Sequence, residues 1–117
     1  MAMIDENIIF EIIAYGGNAR AKAYEALKQA KEGNFYAAES FLKAADDEMH
    51  RAHDVQTKIL QEEAQGRKQE LTVLLVHAQD HLMTAMAERT LIENLIDLYR
   101  RVHELEADLK SLKGCCQ

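Results

Sequence analysis

The sequence predicts an all-α fold, an antiparallel three-helix bundle in a single domain, and three observations predict it. The 117 residues include no proline, only five glycines and 48% hydrophobic residues, so little interrupts a helix. Apolar residues recur at steps of three and four along most of the length. Two short polar stretches break that rhythm, dividing the chain into three segments.

The first segment predicts a helix over residues 3–32, with Ile8, Ile12, Tyr15, Ala19, Ala23, Ala26 and Ala30 along its apolar face. Inside it lies YGGN, residues 15–18. Paired glycines weaken a helix, so they imply a kink or a close helix contact. At KEGNF, Gly33 suits a helix C-terminus and Asn34 the next N-cap, which makes a helical hairpin. The second helix is expected over 35–64, with Phe41, Ala45, Met49, Ala52, Gln56 and Ile59 facing inward. In EEAQGRKQE, residues 62–70, Gly66 sits where the apolar spacing lapses, and the third helix is expected over 68–113. Residues 1–113 thus read as one domain and 114–117 as a frayed tail. Many inward positions are alanine, which bury little area each, so a slender bundle of this size is expected to self-associate.

Charge narrows the partners. A net charge of −6 with no basic patch argues against nucleic acid. No apolar run approaches the roughly 18 to 20 residues that span a bilayer, so direct membrane insertion is not expected. The opening MAMIDENIIFEII carries Asp5 and Glu6 where a signal peptide carries positive charge, and a cytoplasmic protein is expected. Cys115 and Cys116 are adjacent, so they close no useful loop and lack the separation of a zinc-ligand pair.

The third helix holds the most specific pattern. Leu91, Leu95, Leu98, Val102, Leu105, Leu109 and Leu112 follow alternating steps of four and three, the period of a left-handed coiled coil. Carried toward the N-terminus, the same alternation lands on Glu88, Thr84, His81, His77 and Leu74, with Asp80 flanking that face. An apolar seam therefore becomes polar over about three turns.

Three chemistries fit such a seam. Polar residues at seam positions can fix register at a cost in stability. Copies of Asp80 converging on a symmetry axis would repel unless a cation bridged them, and carboxylate oxygens suit a hard ion such as magnesium; alternatively His77 and His81, at i and i+4, could hold zinc. The glutamate of a zinc-hydrolase HExxH motif is missing, so hydrolysis is not expected. Lastly, a neutral imidazole can accept a phosphoryl group and pass it on, with neighbouring polar groups orienting the ring. Spacing alone does not choose among them.

The octapeptide VHAQDHLM, residues 76–83, resembles the active-site helix of the lactose/cellobiose family of IIA components of the bacterial sugar phosphotransferase system. GGNAR at 16–20, LKQAKEGNFYAA at 27–38 and AHDVQTKIL at 52–60 agree in order, so the resemblance covers about residues 4–102. It implies a homotrimer of three-helix subunits and a phosphocarrier that takes its phosphoryl group from the histidine-containing phosphocarrier protein and hands it to the cysteine of a IIB component. A IIC component then imports and phosphorylates the sugar. The family's phosphorylated histidine matches His77, and its axial metal-binding aspartate matches Asp80, with a divalent cation, magnesium, as the expected cofactor. Gln79 and His81 match supporting positions. The form VHAQDHLMT is nearer to cellobiose or chitobiose members than to lactose ones. His53 and Gln56 are candidates to line the same site, while His50 and His103 are expected on solvated faces.

The chain departs from the family pattern by continuing through HELEADLKSLKGCCQ with the seam intact to Leu112, which predicts an extended coiled coil, three-stranded by what the resemblance implies. The competing functional reading is a regulatory or scaffolding coiled-coil protein that keeps the fold without phosphotransfer.

Overall fold

A computed structural model describes residues 4–115, with the side chain of Cys115 left aside. Three helices form the described chain: α1 (Glu6–Lys31), α2 (Phe35–Ala64) and α3 (Val73–Cys115). The molecule measures 76 × 20 × 20 Å.

Each element starts and stops for local reasons. Asp5 caps α1 by accepting the Asn7 N–H at 2.9 Å. Both glycine breaks close their helices with the same motif. At α1, Gly33 N–H donates to Ala30 C=O and Asn34 N–H to Gln29 C=O; at α2, Gly66 N–H donates to Glu63 C=O and Arg67 N–H to Glu62 C=O. Gly33 and Gly66 have φ of 84° and 89°, the left-handed conformation this motif requires. Asn34 occupies the N-cap position of α2, yet its side chain donates back to Gln29 Oε1 at 3.1 Å and leaves the cap unmade.

The third helix begins five residues later than expected, at Val73, because Thr72 caps it: Leu75 N–H donates to Thr72 Oγ1 at 3.1 Å. It continues unbroken through Gly114 to Cys115, beyond the expected end at 113, and residues 116 and 117 lie outside the described part. A 43-residue α-helix extends about 65 Å, which accounts for most of the molecule's length.

The core is thin and falls into two clusters. Around one end Ile9, Ile12, Met49, Leu75 and Leu82 pack together; around the other the alanines of α1 and α2 meet Ile92 and Ile96. Ile12 and Leu82 are the largest fully buried side chains. The α1 face is rotated from the expected one at its start: Ile9 is buried and Ile8 exposed, and Gly16 is buried beside a half-buried Tyr15. Gly16 is where α1 comes close to α3. A Cβ built there would stand 3.8 Å from Leu82 Cα, while one at Gly17 would meet nothing.

Charged pairs tie the helices at defined levels. Arg89 of α3 grips Asp46 of α2 with two bonds, at 2.6 and 2.9 Å, and also donates to Glu93. Arg100 pairs with Glu39, and Lys22 with Glu48 at 3.2 Å. Gly33 of the α1–α2 turn lies against His103 of α3, whose ring meets Phe35 edge-on at 5.2 Å. The expectation of a solvated His103 is therefore corrected: the ring is half-buried over the α1–α2 turn. His50 is exposed, as expected.

Candidate functional site

On α3 the residues that face the other two helices are Leu75, Ala78, Leu82, Ala85, Ile92 and Ile96. That stripe is the predicted seam displaced by one residue, about 100° around the helix. The seam itself faces outward: Leu91, Leu98, Leu105, Leu109 and Leu112 are all more than half exposed, at 54 to 67%. One helix thus serves the subunit core with one face and carries a second apolar face that nothing among the described residues covers.

The polar residues sit at the N-terminal end of this second face. His77 and Asp80 are exposed and His81 is half-buried. The two imidazoles meet edge to face, with centroids 4.7 Å apart and planes inclined at 79°. One turn of helix separates them, so the contact is a direct outcome of their i, i+4 spacing. Both rings stand one residue off the packed stripe, on the rim of the bundle.

Gln79 reaches the other way. Its Oε1 accepts a hydrogen bond from Gln56 Nε2, which joins α3 to α2 directly beneath the histidine turn. Gln56 is the buried polar residue of the described core, at 7% exposure, and a buried amide needs such a partner. Gln56 therefore belongs to the site's support. His53 does not join it; its ring stays exposed, with Nδ1 3.4 Å from Thr57 Oγ1 on its own helix.

Glu88, expected to face its copies across the seam, is instead matched within the chain. Arg20 Nε of α1 donates to Glu88 Oε2 at 2.5 Å. The hydrogen bond from Arg20 holds the Glu88 carboxyl below the usual glutamate range, and desolvation only partly offsets it. No spacing rule links residues 68 positions apart, so nothing in the periodicity signalled this pair.

Among the described residues Asp80 makes no hydrogen bond or ion pair, and no three histidine, cysteine or acidic side chains of one chain are grouped to hold a metal. At the histidine turn a single chain offers one exposed carboxylate, that of Asp80. That fits a cation only where several copies bring their Asp80 side chains together, and oxygen donors then suit a hard divalent ion. Among the described residues no helix is long and apolar enough to cross a membrane.

The chain is similar to proteins of one family over most of its length. Residues 7–100 match the family described as the PTS system, lactose/cellobiose-specific IIA subunit. The chain is 46% identical over 99 residues to the lichenan-specific phosphotransferase enzyme IIA component of Bacillus subtilis, covering 85% of this chain and 90% of that one. It is 50% identical over 92 residues to the lactose-specific EIIA component of Streptococcus mutans, covering 79% and 88%. Among solved structures, the cellobiose-specific enzyme IIA of Bacillus anthracis superposes with a TM-score of 0.84 at 42% identity, covering 89% of this chain and 95% of that one. The Escherichia coli IIA(chitobiose)–HPr complex gives a TM-score of 0.74 at 42% identity, covering 84% and 95%.

Proposed function

Because this chain belongs to the lactose/cellobiose-specific IIA family of the sugar phosphotransferase system, we propose that it is the phosphocarrier whose His77 accepts the phosphoryl group. The observation that carries the reading is the position of His77: exposed, on a rigid helix, its ring against His81 and the next turn anchored by the Gln79–Gln56 bond. Phosphoryl transfer asks mainly for positioning and charge stabilisation, which such a rim provides.

The donor is HPr, the histidine-containing phosphocarrier protein; a solved relative is recorded in complex with HPr. The unprotonated ring nitrogen of His77 attacks phosphorus, the donor's P–N bond breaks, and its electron pair returns to the donor imidazole. In the onward step the cysteine thiolate of a cognate IIB component attacks the same phosphorus and His77 recovers its lone pair. His81 and Gln79 are supporting residues. His81 limits the rotation of the His77 ring by edge contact, and Gln79 fixes the helix turn beneath it. Exposed Val73, Val76 and Met83 around His77 offer the apolar contact area that a transient partner needs.

The second face of α3 supports assembly as an antiparallel three-helix subunit in a homotrimer. Within the chain, the α3 partners of α1 rise from Leu82 at Gly16 to His103 at Gly33, while those of α2 fall from Arg100 at Glu39 to Gln79 at Gln56. In the trimer the Asp80 carboxylates would hold a divalent cation, magnesium by its preference for oxygen, which supplies neutralisation of the clustered negative charge. The reading places the protein in the cytoplasm, where the donor and acceptor operate.

For the sugar we take a β-linked disaccharide of cellobiose or chitobiose type, on the form of residues 76–84. In vesicles carrying the cognate IIB and IIC components, cellobiose is expected to discharge the carrier faster than lactose. The primary test is intact mass spectrometry after incubation with phosphoenolpyruvate, enzyme I and HPr. An acid-labile phosphoryl adduct on the wild type and none on His77→Gln is the expected outcome; an adduct on His77→Gln sinks the assignment.

A further inference from the structure

The two imidazoles of the histidine turn are set for a ligand that the carrier role does not use. His77 is exposed and His81 half-buried, and among the described residues neither ring makes a hydrogen bond or an ion pair. Their nitrogens are open to water. Each neutral imidazole carries one unprotonated nitrogen with a free lone pair, so the turn presents two nitrogen donors side by side.

The ring separation suits a shared metal ion. An ion bound at about 2.0–2.1 Å to one nitrogen of each ring lies about 3.2 Å from each ring centre, and ligand angles of about 90–110° then set the centres about 4.5–5.2 Å apart. The observed 4.7 Å falls inside that span. The rings now meet edge to face, at 79°, and turning each about its Cβ–Cγ bond swings the nitrogens while leaving its centre nearly in place. No backbone movement is needed. Among the described residues no other two histidine rings are in contact, and His53 on α2 has its Nδ1 turned to Thr57. Paired imidazoles favour zinc, copper or nickel, whereas magnesium keeps to oxygen ligands, so an ion on the Asp80 carboxylates does not compete for the rings.

We propose that His77 and His81 of each chain chelate one transition-metal ion of the zinc and copper class, and that the bound ion blocks phosphoryl acceptance. The block rests on the reading of His77 as the acceptor; the chelate does not. The ion takes the lone pair with which His77 would attack phosphorus, and the other ring nitrogen holds a proton. No bond to phosphorus forms until the metal leaves. Two protein ligands, with water in the remaining positions, hold an ion less firmly than the three or four of a resident zinc site, so loading is reversible. Asp80, adjacent to His81 in the chain, adds negative charge beside the site.

Zinc is the first probe, on the full-length chain carrying Cys115→Ser and Cys116→Ser to remove competing thiolates, with magnesium in excess. Isothermal titration should show one zinc per chain. His77→Gln and His81→Gln should each weaken binding by about tenfold or more, at least the cost of losing a supporting contact to a ligand, while His53→Ala should titrate like its parent. Copper(II) on the parent, with both histidines in place, should show electron-spin coupling to two imidazole nitrogens. Zinc at ten times its Kd leaves about one site in eleven free, so acceptance from isolated phosphorylated HPr should slow about tenfold, and the nitrogen chelator TPEN should restore it. The same zinc should not slow the residual rate of His81→Gln. Undiminished binding in His81→Gln, or copper coupled to fewer than two imidazole nitrogens, overturns the site. A zinc-loaded parent that accepts at the metal-free rate, or equal slowing in His81→Gln, overturns the block. A metal-free parent that takes up no phosphoryl group fails the carrier reading instead, and the titrations and the copper spectrum then decide the chelate by themselves.

Discussion

Gly33→Ala probes the end of the bundle remote from the histidine turn. Two costs combine there. With φ at 84°, any residue with a Cβ meets the left-handed penalty of about 1–2 kcal/mol. A Cβ would also stand 2.8 Å from His103 Cε1, too close for both to keep their places. The ring must move, giving up an edge contact with Phe35 of a kind worth about 0.5–1.5 kcal/mol. Together these predict a loss of about 1.5–3.5 kcal/mol. Urea unfolding at one fixed protein concentration measures it, and a double-mutant cycle with His103→Ala separates the two parts. In the His103→Ala background only the backbone part should remain. Equal costs in both backgrounds would refute the packing of His103 over Gly33, and a cost near zero would refute the left-handed turn as well. The two sites are some 26 residues apart along α3, about 39 Å, so phosphoryl acceptance by the folded variant should be unchanged.

The remaining predictions concern the seam, the support of the site and acid. Ending the chain after Glu104 removes Leu105, Leu109 and Leu112, whose exposed fractions of 67, 54 and 64% represent on the order of 3–5 kcal/mol per chain if covered; sedimentation equilibrium should show weaker assembly, and unchanged assembly would refute the extended coiled coil. Gln56→Leu leaves the Gln79 amide without its partner, so stability should fall by about 1–3 kcal/mol and the rate of phosphoryl acceptance should fall while circular dichroism stays helical. Glu88 is held below its usual value near 4.5 when folded, so it stabilises the fold fully above that pH and the contribution is lost as pH falls through its folded value. Glu88→Gln should flatten the acid side of the stability–pH curve, and a curve parallel to wild type would show that the Arg20 pair is not formed.

A helix that packs one face into the core and leaves an adjacent apolar face exposed explains how the candidate site is built. The face of α3 carrying Leu75, Leu82 and Ile92 is fixed by the subunit core, so the adjacent face is fixed with it. His77 needs no loop to present it. Its placement on a helix held by Gln56, Arg89 and the Leu82 packing gives a ring positioned before any partner arrives, as the proposed acceptor role asks. The acidic balance of the chain favours docking to basic partner surfaces, with salt-sensitive rates.

Much of this was legible in the sequence because it is local. Glycine at 33 and 66 and the three-and-four rhythm determined three helices, the ends of two of them, and an apolar seam on the third bearing His77, with Asp80 beside it. The same spacing that wrote both histidines onto the seam set their edge contact. What only the tertiary structure decided depends on which residues of distant helices come level. Ile9 rather than Ile8 turns inward because α1 is rotated to fit α3, and Arg20 reaches Glu88 across 68 positions. His103 is drawn over a glycine turn, Gln56 is set under Gln79, and Thr72 captures the start of α3 ahead of the residues that only looked helical. Periodicity states which residues share a face; the level at which two faces meet is a property of packed helices, where only one alignment fills the space.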